Sequence, residues 1–425
     1  MTDMVIESAR GIDMLVRGSG LEDLDLSEYE TDGKCLILIE GETNELEAKI
    51  EGFIRNEKGV VEKIQLSMTH TRRIRTKETR KASVRLVKGE AKYQMLNDAI
   101  TKVLNSESKL VSFLFKAEEE QETSFCENVK FQLSLNSDQR EAVELALSGT
   151  MLTIVHGPPG TGKTTTLIEI ILQCIKRGEK VLLCAPSNVV MHNLMCRLEA
   201  EGVTEMVRID NEDKISKESK KYSFAESFKK ERDQILDDGS KISSRNSTLR
   251  KIYGKIRRKI LEKSQVVLAT CLSASERGPL GGYHSEFDLV VIDECGQAIE
   301  AACWIPLLRA KRCVLAGDPF QLPPTIFSRK AAESGLKVSL LERCMKEFKH
   351  SKHVRFLRIQ YRMNHKIMEW SSRTFYNEKL IAHETVHDIS LRLGHKEMDS
   401  VIDHPNLLMI DTNLQRNIGG KQDRK

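Results

Sequence analysis

The sequence predicts an α/β protein built around a parallel sheet with helices on both faces. Two observations carry this reading. Five predominantly apolar runs recur between residues 151 and 318: MLTIVH, KVLLCAP, QVVLAT, FDLVVID and CVLAGD. Strands buried on both faces read as continuous apolar runs, whereas a strand with one wet face alternates. Helix-length stretches separate the runs, as crossover connections between parallel strands require.

The remaining elements follow in chain order. Residues 1–33 are acidic around Leu21–Asp32, show no clear periodicity and are expected to form a separate N-terminal segment. From Lys34 the runs become short and β-like (CLILI, EAKIEGFI, VVEKIQLSM, ASVRL), with turn residues at Glu40–Asn44 and Asn56–Gly59. Four or five strands spaced about ten residues apart predict a small barrel or sandwich over 34–92. Residues 93–134 are expected to be a helical stalk, with Tyr93, Leu96, Ile100, Val103 and Leu104 on one stripe. The main α/β unit is placed at 135–346. Within it, 211–263 lacks strand texture and reads as a charged helical insertion with Ile252, Ile256 and Ile260 on its apolar side. After Glu342 the alternation resumes with FLRIQYRM, a helix from about Asn364 to Tyr376, and NLLMID at 406–411. One or two strands with one helix cannot form a covered sheet, so 347–425 is expected to be the beginning of a second domain.

The chain has 425 residues and a net charge of +4, which excludes a basic coat over the whole surface. Charge is instead segregated. Residues 211–263 hold 16 Lys/Arg against 9 Asp/Glu, and residues 70–92 hold 9 against 2. The absence of an apolar run of about 18 residues excludes a hydropathic membrane span, and Met1–Gly20 lacks a secretory profile. The ten cysteines include no Cys-x-x-Cys pair, and Cys184 and Cys313 lie inside apolar runs. They are expected to be buried free thiols in a reducing compartment, so a soluble intracellular protein is predicted.

The most specific local pattern is Gly157-Pro158-Pro159-Gly160-Thr161-Gly162-Lys163-Thr164-Thr165, between an apolar strand and a helix. Its G-x-x-x-x-G-K-T spacing is that of a phosphate-binding loop, in which glycines allow backbone N–H groups to turn inward around phosphates. ATP with Mg2+ is the expected ligand. Lys163 is assigned to the β- and γ-phosphates and Thr164 to Mg2+. FDLVVID ends in Asp293 and Glu294. Asp293 is expected to hold Mg2+ through water, and Glu294 to accept a proton from the attacking water. CVLAGD leads into Asp318–Thr325, where Gln321 is expected to sense the γ-phosphate or orient water. His383-Glu-Thr-Val-His387 matches a zinc-protease pattern, but such a site needs both histidines on one helix and a third ligand. A loop coincidence is the expected explanation.

Taken in order, these motifs resemble those of superfamily-1 helicases. Within that superfamily the chain is similar to the 1B branch containing the up-frameshift and Smubp-type (immunoglobulin-mu-binding protein 2-like) helicases. VIDECGQAIEAACWIPLLRAKRCVLAGD and GPPGTGKTTTLIEIILQ carry the resemblance. It implies a RecA-like first domain preceded by a barrel and stalk, and a second RecA-like domain of which this chain carries the start. It assigns Gln139 to adenine, and Pro186, Ser187, Asn188 and Thr270 to the nucleic-acid channel, together with Pro324 and Thr325. It assigns Tyr361 to base stacking, and Arg362 to the γ-phosphate as an arginine finger. ATP-driven 5′→3′ movement on single-stranded RNA or DNA is implied, by a monomer in the cytoplasm or nucleus, with ribonucleoprotein or ribosome-associated factors as further partners. Lys/Arg in 70–92 and 211–263 would neutralise backbone phosphates. Two further motifs of the family's second domain lie beyond this sequence. A module that clamps ATP and nucleic acid without turnover therefore stays open as a rival.

Overall fold

The computed structural model describes residues 2–10, 13–18, 34–39, 46–55, 61–68, 80–87, 90–116, 129–209, 217–237, 246–348 and 352–390. The acidic stretch 21–32, most of the basic run 70–92, NLLMID and His395 lie outside the described residues. Two compact units are present, Met1–Asn97 and Asp98–Lys425.

The first unit contains six antiparallel strands: β1 (Thr2–Arg10), β2 (Asp13–Gly18), β3 (Lys34–Ile39), β4 (Leu46–Arg55), β5 (Val61–Met68) and β6 (Arg80–Val87). They close in the order β1-β2-β5-β4-β3-β6, with β6 paired to β1. Closure removes the exposed sheet edges that short strands would otherwise present. Cys35 and Ile37 of β3 and Ile64 and Leu66 of β5 are buried while Gln65 is exposed, as a two-residue period demands. The barrel therefore begins at Thr2 and not at residue 34. A register shift between Ile6 and Ser8 interrupts the alternation of β1, so the period that identifies a strand is broken where it was sought.

Helices α1 (Glu90–Leu104) and α2 (Lys109–Lys116) follow. The expected stripe on α1 coincides only in part with its buried face. Val103 is buried and Leu96 half-buried, but Tyr93, Ile100 and Leu104 are exposed, and Ala99, one turn before Val103, is buried instead.

The second unit is organised by a seven-stranded sheet. Its elements are α3 (Ser137–Leu147), β7 (Leu152–His156), α4 (Lys163–Lys176), β8 (Val181–Ala185), α5 (Asn188–Ala200), β9 (Met206–Ile209), α6 (Phe224–Asp237), α7 (Asn246–Lys263), β10 (Val266–Thr270), β11 (Leu289–Ile292), α8 (Glu300–Leu307) and β12 (Cys313–Gly317). Further on come α9 (Arg329–Ala331), α10 (Leu340–Glu347), β13 (Val354–Phe356), β14 (Ile359–Gln360), α11 (His365–Phe375), β15 (Ile381–Ala382) and α12 (Glu384–His387). The strand order is β13-β7-β12-β11-β8-β10-β9, parallel throughout. Every residue of β7, β8, β11 and β12 is buried, which accounts for their unbroken apolar runs. The helices α6 and α7 stand between β9 and β10, where the charged insertion was expected, and Ile256 and Ile260 are buried. Among the described residues eight of nine cysteines are buried, with Cys196 exposed; burial pushes the Cys174 thiol up to about 12. No described helix is long and apolar enough to cross a membrane.

The sheet also moves a domain boundary. Residues 354–356 were expected in the second domain, yet β13 pairs in parallel with Ile154–His156 at the edge of the first sheet. In the sequence Val354–Gln360 runs on without a break, and strand pairing alone divides it. Leu357 N–H closes the pairing on the His156 carbonyl at 2.9 Å. The chain then enters the separate β14–β15 pair, joined by α11 as a parallel crossover.

Asp138, buried in the first turn of α3, holds this junction. It accepts the Arg358 backbone N–H at 3.0 Å and the Arg358 Nε–H at 2.9 Å. Asp138→Ala leaves that N–H without its acceptor and should cost about 1–3 kcal/mol of stability. Urea unfolding measures this, and an unchanged midpoint would count against the junction.

Candidate active site

The functional side chains converge because parallel strands deliver their carboxyl ends to one edge of the sheet. β7 runs into the phosphate loop, β11 into Asp293 and Glu294, and β12 into Asp318 and Gln321. The loop requires glycine at two positions. Gly160 and Gly162 have φ of 80° and 77°, in the left-handed region that other residues avoid. A Cβ on Gly160 would lie 2.6 Å from Arg362 Cβ, and one on Gly162 would lie 2.4 Å from Gln139 Nε2. The loop is therefore closely packed by groups distant in sequence.

A cleft of about 540 Å3 is lined by Gly157–Thr165, Arg197, Glu294, Gln321, Tyr361 and Arg362. Lys163, 8% exposed, pairs with Glu294 Oε1 and lies 3.2 Å from Asp293 Oδ1. Burial alone would lower the Lys163 pKa, but the two carboxylates hold it above the usual lysine value. Asp293 is shifted up by burial and by the charge of Glu294, against the pull of Lys163. Glu294 adopts φ 51° without being glycine, a conformation retained only where its surroundings impose it. Its N–H donates to Asp293 Oδ1 at 2.8 Å, and its Oε2 accepts from Gln297 Nε2 at 3.1 Å.

Asp318 is a buried hub beneath the cleft. One oxygen accepts from the Phe320 N–H at 3.1 Å and lies 3.2 Å from His156 Nε2. The other accepts from Gln321 Nε2 at 3.1 Å and from the Tyr376 hydroxyl at 2.6 Å. Burial opposes ionisation of Asp318, but these partners outweigh it and hold the carboxyl below the usual carboxylate range. Tyr376 is correspondingly shifted up, by burial and by Asp318.

Gln139, 4% exposed, forms a reciprocal cap with Asn136 at the start of α3. Its Nε2 donates to the Thr161 carbonyl at 3.0 Å. Tyr361 lines the cleft nearby. Its backbone N–H donates to the Gly160 carbonyl at 2.8 Å, and its hydroxyl accepts from Asn136 Nδ2 at 3.0 Å. Arg362 is exposed beside it, and the turn carrying both is tied by Gln360 Oε1, which accepts from the Arg362 and Met363 N–H groups, each at 2.8 Å.

The expected nucleic-acid residues do not line this cleft. Pro186, Ser187 and Asn188 follow β8, where Ser187 caps α5 by accepting from the Val190 N–H at 3.4 Å. Thr270 ends β10 with its hydroxyl 2.7 Å from Ser273 Oγ. Thr325 is exposed and Pro324 is buried. The large apolar groups this loop exposes are Phe320, Leu322 and Phe327, at 51%, 79% and 87%.

Arg197, in the last turn of α5, was not anticipated. Its Nη1 donates to Thr165 Oγ1 at 3.2 Å, and no motif marks it because its place depends on how α5 packs beside α4. Asp318 and Tyr376 were likewise unassigned; the acidic residue closing CVLAGD was the available signal. The His383–His387 pattern forms no shared metal site. Helix α12 starts after His383, which caps it, and the two imidazoles face Tyr361 and His365 respectively.

Fold and cleft are those of a P-loop nucleotide-binding protein. A family model described as an AAA domain matches residues 134–240 and 223–329, and a second AAA-domain model matches 336–425. DNA-binding protein SMUBP-2 of Mesocricetus auratus is 40% identical over 314 residues, 66% of this chain and 31% of that protein. DNA polymerase alpha-associated DNA helicase A of Saccharomyces cerevisiae is 35% identical over 62% of this chain and 44% of its own length. ATP-dependent helicase NAM7 of the same yeast is 36% identical over 58% and 26%. The chain belongs to the superfamily-1 helicases of the up-frameshift and Smubp type, and it spans less than half the length of these relatives.

Two outcomes follow from the geometry. Gly162→Ala should abolish nucleotide binding in titration calorimetry, since the new methyl would strike Gln139 at a left-handed position; retained affinity would refute the packing argument. Asp318 titrates low when folded, so its stabilisation is complete above about pH 4, the unfolded value, and is lost as pH falls through the folded one. Asp318→Asn should lower stability at neutral pH and flatten this acid limb in melts recorded from pH 2 to 7.

Proposed function

We propose that the chain is an ATP-driven motor on single-stranded RNA or DNA. The observation that carries this reading is Lys163, held in the phosphate loop against Asp293 and Glu294 with Arg362 lining the same cleft. A triphosphate in the loop competes for the Lys163 ammonium and accepts the backbone N–H groups of the loop and of the start of α4. Drawing Lys163 onto phosphate releases Glu294, whose carboxylate is then available to take a proton from the attacking water. Arg362 meets the charge developing on the γ-phosphate, and Arg197 steadies Thr165. Gln321, tethered to Asp318, orients water without adding charge.

The Thr164 hydroxyl and the Asp293 carboxylate are hard oxygen donors of the kind Mg2+ prefers, so these residues suit that ion. When bound it supplies charge neutralisation to the phosphates. Pro186, Ser187 and Asn188 just after β8, Thr270 at the end of β10 and Thr325 in the loop after β12 are our candidates for contact with the nucleic-acid backbone. The names of the relatives, a DNA-binding protein, a DNA helicase and an ATP-dependent helicase, support the class of partner. Movement 5′→3′ is part of the same proposal and rests on family resemblance.

The test is ATP turnover by the purified chain with and without a single-stranded oligonucleotide. Turnover should rise with oligonucleotide, and Glu294→Gln should lower kcat by about 10²–10⁴-fold, the usual contribution of a general base. Lys163→Ala should remove both turnover and tight ATP binding. Binding of both ligands without turnover would instead identify a non-catalytic clamp.

A further inference from the structure

His383 belongs to the histidine pattern that the nucleotide chemistry leaves unused. Its ring lies against Tyr361, with centroids 4.6 Å apart and planes inclined by 36°. Both partners are fixed from elsewhere. The His383 backbone N–H donates to the Gln360 carbonyl at 2.9 Å, continuing the pairing of β14 with β15. Its Nδ1 accepts from the Thr385 N–H at 3.3 Å and lies 2.9 Å from Thr385 Oγ1, which caps α12. Tyr361 is held through Asn136 Nδ2 on its hydroxyl and Gly160 on its backbone, yet it stays 38% exposed and lines the cleft.

Capping a four-residue helix asks only for a side-chain acceptor, which Asn, Ser or Asp supplies equally well. It does not ask for a ring, still less one laid against the aromatic wall of the cleft. We infer that His383 is a positioning residue for the nucleobase. Its imidazole and the Asn136 amide together fix the plane of the Tyr361 ring, so that the exposed part of that ring is a ready platform for the base of the nucleotide. This inference rests on the reading of Tyr361 as the residue that stacks on the base. Aromatic pairs gain from offset or tilted contact, and a side chain immobilised beforehand loses less freedom when the ligand arrives. The benefit should reach the base and leave the triphosphate unaffected, because Lys163 and the loop glycines, and not the Tyr361 ring, face the phosphates.

The test compares two ligands and three variants of the 425-residue chain by titration calorimetry. The ligands are a non-hydrolysable ATP analogue and inorganic tripolyphosphate, which has no base. His383→Asn keeps the cap and deletes the ring; it should weaken the analogue about three- to ten-fold and leave tripolyphosphate unchanged. His383→Phe keeps a ring and deletes the acceptor, and should restore most of the analogue's affinity. The inference is overturned if His383→Asn binds the analogue normally, if it weakens both ligands alike, or if Phe does no better than Asn. Tyr361→Ala separates the two layers of the argument. If it leaves the ratio of the two affinities unchanged, the base-platform reading itself fails and takes the role of His383 with it. If it shifts the ratio while His383→Asn does not, only the role of His383 is lost.

Discussion

One ammonium group organises the cleft. Lys163 is nearly inaccessible to solvent and is shared by Asp293 and Glu294, one ammonium between two carboxyl groups. A buried charge is tolerated only when paired, and the pairing demands that two strands end close together on one edge of the sheet. β7 carries the loop that holds Lys163, and β11 carries the carboxylates. β12, between them in the sheet, fixes their spacing. The glycine-rich turn, the left-handed Glu294 and the wholly buried strands are the means by which a chain places three ionisable groups in so small a volume.

A second layer lies beneath the first. Asp318, at the end of β12, collects His156 from β7, Gln321 from the following loop and Tyr376 from the end of α11. It thus connects the floor of the phosphate site to the segment carrying Tyr361 and Arg362. Asp138 does the same from the other side by holding Arg358. Two buried carboxylates therefore fix where the chain leaves the first sheet, and with it the distance of Arg362 from the phosphate loop. Removing either leaves donors unsatisfied in a low-dielectric setting, where such losses weigh most.

Legibility in the sequence followed the range of the interactions. The phosphate loop, Asp293, Glu294 and the strand-helix alternation are local patterns, because backbone geometry within a few residues dictates their composition. The barrel strand β1 was illegible because a bulge erased its period. The face of α1 was only partly legible because burial depends on what packs against it. Val354–Phe356 was expected in the second domain, because the pairing that ties it to the first sheet lies some two hundred residues away. Pro324 illustrates the same limit at one residue: its sequence context is a loop, and its burial is a property of the fold.

What the sequence determined by itself was the chemistry: which residue types bind phosphate, which end the strands, and in what order they follow. Those choices are imposed by φ angles, charge and hydrogen-bonding capacity, all of which act over a few bonds. Only the tertiary structure decided which of these groups share a cleft. Arg197 enters it through helix packing, Asp318 supports it through its bond to Gln321, and His383 meets Tyr361 at its wall across a strand pair. Such juxtapositions arise from contacts between residues far apart in the chain, and nothing in the local spelling of an arginine or a histidine records its neighbour.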